Sequence, residues 1–283
     1  MIRALLALAL AATLATAAVA GPWTLAPGRS RLGMTALAAG FDEIHAFDGT
    51  RRPVPAVRFR ALELSAAHGL TDRLEVSASA TRAANEQSAN PAADYDGWGD
   101  ARAALKYRLW REEAGEPVSL SAMLELKTPL RSYPTSNFSA PGDGQDDLEF
   151  RVSAGKLLDA GTFFSYWTVE AAFRSRRGEP GDERLLYGEL GLPLRGRAAG
   201  RVFAQRVEQT SGLGLLSPAF LTRAAIEGRA PFPAVDEDFT LLGAGIGYRL
   251  TSEWDASLFL ATQVSTRNTG FQDLMGISIS HEF

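Results

Sequence analysis

The 283-residue chain contains no cysteine and only three histidines. The first absence excludes a disulfide framework, a thiolate metal site, a thiol nucleophile and a lipid-modified N-terminal cysteine. The second leaves little for a transition-metal site, so no metal and no cofactor are expected. Charge of one sign is not in excess: 29 Lys+Arg stand against 33 Asp+Glu, a formal net charge of −4. A nucleic-acid binder carries a basic footprint, and no such partner is expected here. Long apolar runs are also missing. Beyond residue 20 nothing approaches the roughly 18 apolar residues of a spanning helix.

The first twenty residues differ from the rest. Arg3 precedes an apolar run from Ala4 to about Leu14, and Ala18-Val19-Ala20 forms a small-x-small site ahead of Gly21. That is the pattern of a secretory signal peptide. The expected organisation is a signal peptide over 1–20 and one domain over 21–283, exported across an inner membrane.

The exported part alternates with period two almost throughout. Ala101, Ala103, Leu105, Tyr107 and Leu109 interleave with Asp100, Arg102, Ala104, Lys106 and Arg108. Val118, Leu120, Ala122, Leu124 and Leu126 interleave with Ser119, Ser121, Met123, Glu125 and Lys127. Such runs are β-strands with one apolar and one polar face. Twelve segments follow the rule, at about 31–44, 54–68, 73–83, 99–111, 118–130, 147–158, 162–176, 183–195, 201–211, 237–250, 255–267 and 271–283. The parity slips around Val57–Leu64, where a bulge is expected. Short connectors at 69–72, 112–117, 159–161, 196–200 and 251–254 alternate with longer ones at 84–98, 131–146, 177–182 and 212–236. Short turns at one end and long loops at the other fit an up-and-down barrel.

A soluble β-sandwich also alternates. Here charge recurs on the polar face of strand after strand, whereas a soluble barrel fills its inside with apolar side chains. Aromatic residues gather near strand ends, in the pairs Tyr107 and Trp110, Tyr133 and Phe138, and Tyr248 and Trp254, as in interfacial girdles. The expected fold is all-β: a transmembrane antiparallel barrel of about twelve strands, of the bacterial outer-membrane type. Lipid cannot satisfy an open sheet edge, so the 271–283 strand must pair with the 31–44 strand. Met275, Ile277, Ile279 and the terminal Phe283 share one face. This closing strand resembles the assembly signal of outer-membrane proteins. The resemblance implies Phe283 as the signal residue, with the barrel-assembly machinery and outer-membrane lipids as partners.

Four segments resemble an outer-membrane family known as phenol meta-pathway degradation or transporter-like barrels. They are His68-Gly-Leu-Thr-Asp-Arg-Leu-Glu-Val76, Gly97-Trp-Gly-Asp-Ala-Arg-Ala-Ala-Leu-Lys-Tyr-Arg-Leu109, Leu124-Glu-Leu-Lys-Thr-Pro129, and Gly144-Gln-Asp-Asp147 through Ser153-Ala-Gly-Lys156. Together they cover about 65–160. The sequence departs from the pattern at His68, where the family has Tyr, and at Thr128-Pro129-Leu130, where it has Pro-Thr-Gly. The resemblance implies passage of small, apolar or aromatic molecules.

Candidate site residues are of two kinds. Arg58, Arg60, Glu75, Arg102, Lys106, Glu125, Lys127, Glu149, Arg151, Glu170 and Arg174 are expected to face the lumen. Arg102 and Lys106 are expected against Glu125, and Lys127 against Glu149. They form either a charged conduit or a salt-bridge ladder filling a narrow barrel. The longest connector is unusually apolar. Ser217 and Pro218 supply an N-cap and a first-turn proline, and Gly228 a stop, for a helix over 218–227. Ser217, Pro218, Phe220, Leu221 and Phe232 would then belong to a gate over the lumen or to a helix covering the rim. Asp143, Asp146, Asp147 and Glu149 lack the spacing of a calcium loop and read as an outer loop.

The expected activity is therefore passive transport or binding of a small solute, with no chemical step. A structural barrel with a filled lumen is the alternative. A lipid hydrolase is a third reading. It would need a serine activated by one of His45, His68 or His281, and no Gly-x-Ser-x-Gly elbow is present. Asp94, Asp96 and His45 could in principle meet as a rim acid cluster.

Overall fold

The computed structural model describes residues 21–136, 140–158, 165–179 and 181–283. The expected signal peptide, Phe138 and the 159–161 turn lie outside them. Eleven strands follow one another: β1 (Ser30–His45), β2 (Arg51–Gly69), β3 (Leu74–Gln87), β4 (Tyr95–Trp110), β5 (Ser119–Pro129), β6 (Asp147–Leu157), β7 (Tyr166–Arg176), β8 (Glu183–Pro193), β9 (Ala198–Gln209), β10 (Asp238–Arg249) and β11 (Trp254–Arg267). A two-residue strand, Thr269–Gly270, leads into β12 (Asp273–Glu282). Every strand pairs antiparallel with its sequence neighbour, and β1 pairs with both β2 and β12. The register of the closure runs from Arg31 opposite Glu282 to Gly40 opposite Asp273. Main-chain bonds between Ser30 and Phe283 extend it to the last residue. The sheet is thus a closed twelve-strand barrel with no free edge, the condition lipid imposes.

Side-chain alternation places the apolar series outward. Leu105, Leu124, Leu126, Phe150, Val202, Ile246 and Ile277 are all exposed on the outer wall. The short turns carry their own chemistry. In the β2–β3 turn the Thr71 hydroxyl accepts from the amides of Arg73 and Leu74. In the β10–β11 turn Thr251 accepts in the same way from Glu253 and Trp254. These side chains satisfy turn amides that the ladder cannot reach. His281 stacks on Trp254 with centroids 4.4 Å apart, and Phe283 on His281 at 5.4 Å, forming an aromatic girdle at that rim.

The irregularity in β2 lies just before the stretch where the sequence suggests it. Opposite Phe41 and Glu43 of β1 stand Val57 and Pro53, so two extra β2 residues bulge at 54–56. From Val57 to His68 the register is unbroken. That phase turns Val57, Phe59, Ala61 and Glu63 into the barrel and Arg58, Arg60, Leu62 and Leu64 out of it. Tyr133 is no girdle residue either. It is buried in the 130–146 loop, where its hydroxyl donates to Asp100 and accepts from the Gly144 amide.

Candidate functional site

The lumen has two unlike walls. From β3 to β8 it is ionic. Glu75, Arg102, Lys106, Glu125, Lys127, Glu149, Glu170 and Arg174 are all buried inside, and Arg151 nearly so. Two pairs of direct cross-strand neighbours carry like charge, Arg102 opposite Lys127 and Glu125 opposite Glu149, whereas Lys106 stands opposite Glu75, Lys127 opposite Asp147, and Arg174 opposite both Glu149 and Glu183. Like charges in that relation repel. The ladder holds because the directly opposite pairs, the diagonal Arg102–Glu125 and Arg151–Glu170 pairs and the arginine forks outweigh the like pairs. Arg102 meets Glu125 at 2.5 Å, and Lys106 meets Glu75 at 3.4 Å. Arg151 bridges Glu149 and Glu170 at 2.6 Å each. Arg174 bridges Glu149 at 2.8 Å and Glu183 at 2.6 Å. Lys127 does not take Glu149; it lies among Asp147, Asp143 and Asp100 at 2.6, 3.2 and 3.6 Å. Lys106 likewise pairs with Glu75 of β3 in place of Glu125. Planar guanidinium forks make such branching possible.

From β9 through β12 to β2 the wall is largely apolar. Leu37, Phe41, Phe59, Phe203, Leu241 and Phe259 face inward and are buried. Phe41 stacks on Phe59 at 6.0 Å, and Phe203 meets Phe259 edge-on at 6.2 Å. Gly243 and Gly276 leave the space these rings occupy, since a methyl group at either would collide with Phe203 or Phe259. Arg201 forms the seam. Its guanidinium lies over the Phe203 and Phe259 rings at 5.6 and 5.4 Å and reaches Glu189 at 3.2 Å. Arg58 and Arg60 were expected on this inner wall and are instead on the outer surface. Charge inside, the assumption behind that placement, fails on the apolar side of the lumen.

The chain closes both ends of the lumen with its own segments. At the short-turn end, residues 21–28 enter the barrel. The Gly21 amide donates to Glu170 at 2.6 Å and the Leu25 amide to Glu75 at 2.7 Å. Lys106 donates to the Trp23 carbonyl at 3.3 Å, and the Trp23 indole to Glu112 at 3.1 Å. Between this segment and the ladder a void of about 30 Å³ remains, lined by Gly21, Glu63, Arg102 and Glu125 among others. It has room for water and none for a solute. One oxygen of the buried Glu63 faces no protein hydrogen-bond partner.

At the long-loop end lies α1 (Pro218–Glu227), with Ser217 accepting from the Phe220 amide at 3.2 Å and Gly228 left-handed at the stop. Leu215, Phe220 and Phe232 are buried, with the Phe220 and Phe232 rings 6.0 Å apart. They pack into the same cluster as Phe41, Val57 and Leu241. The Asn268 side chain and the Phe47 amide tie down the Leu215 main chain. Leu221 and Pro218 face away and are exposed. Segment 212–236 is thus a cap continuous with the apolar wall.

The remaining candidates do not assemble. Among the described residues no group of three or more His, Asp and Glu is placed to hold a metal. Asp146 bonds Thr128, Glu149 bonds arginines, and Asp143 and Asp147 flank Lys127. Burial alone would push the Asp143 carboxyl up; Arg176 and Lys127 beside it hold it well below the usual range. His45 bonds Thr266, Asp94 caps the Gln87 amide and Asp96 meets Arg82, so no rim acid cluster forms. His68 does bond Ser30 at 2.8 Å. No carboxylate orients its ring among the described residues, and an activated serine needs that third group. Residues missed from the sequence include Glu63, Asp100, Arg108, Arg176, Glu183 and Glu189, all buried and polar or charged. Arg108 shared the inward parity of Arg102 and Lys106 and was legible. Asp100 shares that parity too but sits at the β3–β4 register shift, and Glu183 opens β8, where parity says least.

Comparison with known proteins shows the fold. No protein-family model matches the chain, and no characterised protein matches it in sequence. An outer membrane channel from Pseudomonas putida F1 is similar in structure, with a TM-score of 0.67 at 15% identity over 92% of this chain and 97% of that one. The KdgM porin gives 0.52 at 7% identity, over 89% and 99% of the two chains. The translocator domain of the autotransporter NalP from Neisseria meningitidis gives 0.51 at 12% identity, over 92% and 90%. These three place the chain's architecture among outer-membrane β-barrels.

Proposed function

We propose that this protein is a bacterial outer-membrane channel that passes small amphipathic solutes, aromatic acids among them, by passive diffusion. The observation that carries the reading is the division of the lumen into an ionic and an apolar wall, with Arg201 joining them. A solute with an aromatic ring and a carboxylate has a surface to meet on each side. Both closures are chain segments resting against the wall, so the conduit opens by displacing residues 21–28 and 212–236 without breaking the barrel. The likeness to an outer membrane channel and a porin supports passage as the class of function. The resemblance at 65–160 to the phenol meta-pathway barrels supports an aromatic solute. Export of the chain after cleavage at Ala20, and assembly through the Phe283 strand, belong to the same proposal.

A second reading has one observation in its favour: the lumen void of about 30 Å³. A barrel that never opens would serve the envelope as a structural element. Proteoliposome uptake of a benzoate-class anion, beside a neutral sugar of similar size, decides between them. Saturable or faster uptake of the aromatic anion supports the channel. No uptake of either by a correctly folded barrel supports the filled wall.

A further inference from the structure

The outer wall carries charge where a lipid-facing wall should not. Two adjacent hydrogen-bonded rows cross β12, β1, β2, β3 and β4. The first holds Ile277, Ala36, Leu62, Arg82 and Trp98; the second holds Met275, Ala38, Arg60, Ala84 and Asp96. All ten side chains point outward. Arg60 stands between two alanines, and Ala36 separates Ile277 from Leu62. The small residues leave a trough of about 640 Å³ in the outer face, walled by Met275, Ile277 and Leu258 on one side and by Arg60 and Arg82 on the other.

Arg60 lies midway along β2 and Arg82 in the long-loop half of β3, and Arg82 is level with the exposed Trp98. Tryptophan in that position marks a membrane–water interface. Below the arginines the wall is Leu62, Leu64, Ala80 and Ala78, which is acyl-chain country. Arg60 bonds Glu86 at 3.2 Å and Arg82 bonds Asp96 at 3.0 Å, and all four side chains remain about half or more exposed. The two trough rows hold two cations against one carboxylate, while in the next row the outward Arg58 is matched by Glu86 and Asp273, and each guanidinium of the trough keeps donors free in its planar fork for a second acceptor.

We infer that this trough seats a membrane lipid with an anionic phosphate headgroup: an acyl chain lies over Ala36 and Ala38, and the phosphate lies between Arg60 and Arg82. This rests on the membrane reading of the barrel and is independent of whether the lumen conducts. Charge complementarity selects the headgroup, and the alanine floor selects the chain. A charged side chain on a lipid-facing strand is destabilising by an amount that grows with depth, and a bound phosphate removes that penalty.

The test is native mass spectrometry of the full barrel released from vesicles of equal phosphatidylglycerol and phosphatidylcholine. Wild type should retain phosphatidylglycerol preferentially. R60A/R82A, which removes the headgroup contacts, and A38F, which fills the trough, should each lower retention at least about fivefold. R184A, on the outer face of β8, should leave it unchanged. Heat-modifiable mobility on SDS gels confirms that each variant is folded. Equal retention of the two lipids by wild type overturns the proposal. So does unchanged retention in either variant, or a lipid-free dimer in place of the lipid adduct. Loss of solute flux without loss of lipid would count against the channel reading alone.

Discussion

The main-chain nitrogen of Gly21 lies 2.6 Å from a carboxylate oxygen of Glu170, 149 residues later in the chain. Cleavage after Ala20 would turn that amide into an α-ammonium group. The contact would then become an ion pair inside the lumen, competing with Arg151 for Glu170. The N-terminal segment would be latched by its own charge. E170Q should weaken the latch and raise the open fraction in planar bilayers several-fold. An unchanged open fraction, with Edman sequencing showing Gly21 as the first residue, would contradict it.

The ladder predicts an asymmetry between breaking and replacing charge. Arg174 serves both Glu149 and Glu183. R174A leaves the buried Glu149 and Glu183 with one arginine each, Arg151 and Arg176, in place of two, and should cost about 3–5 kcal/mol. The double replacement R102L/E125L removes both members of one pair and should cost far less, within about 1–2 kcal/mol of neutral. Urea unfolding in detergent measures both. Equal losses would mean that the buried pairs are screened by water.

Phe220 and Leu221 are adjacent in α1, and only Phe220 is buried. F220A should release about 3–5 kcal/mol of packing between cap and wall, whereas L221A should cost under about 0.5 kcal/mol. Limited proteolysis within 212–236 reads the difference. Cleavage at equal rates in the two variants would place the cap outside the wall's packing.

The two loops that meet near Arg176 should respond to pH in opposite senses. Asp143 is held below its ordinary value of 3.8 by Arg176 and Lys127. Its anchoring of the 130–146 loop is present above that value and is lost only as pH falls through the lowered one. Glu237, ahead of β10, is pushed well above 4.5 by burial, with Asp143, Glu183 and Asp236 adding to the effect and Arg176 opposing it. Its neutral form is the folded one. Stability from Glu237 is therefore full below about 4.5 and declines as pH rises toward the raised value. Protection factors in 212–236, with the intrinsic pH dependence of amide exchange divided out, should fall as pH rises above 4.5, and E237Q should abolish the trend. Protection that rises with pH would reverse the assignment.

Most of the architecture was legible because period two is a property of the strand itself. Leu105 and Arg102 declare their faces to any reader of the sequence, and the α1 boundaries follow from Ser217, Pro218 and Gly228. What failed was inference about faces from charge alone. Arg58 and Arg60 belong to a strand whose inner face is Val57, Phe59 and Ala61, and only the bulge at 54–56 sets that phase. Tyr133 looked interfacial, yet a loop folds it onto Asp100. The pairing of Lys127 was hidden because Asp143 reaches it from a loop. The apolar half of the lumen could not be read locally, since Phe203 and Phe259 meet across β10 and join Phe41 and Phe59 only when β1 closes on β12.

The central claim is that the lumen opens by moving chain segments and not by breaking the wall. Single-channel conductance of wild type against a variant lacking 212–234 tests it directly. Brief, low-amplitude openings in wild type and larger or longer ones in the deletion, with the barrel intact by heat-modifiable mobility, are the predicted result. An intact deletion variant whose openings are no larger or longer than those of wild type, and that takes up no solute, would contradict it.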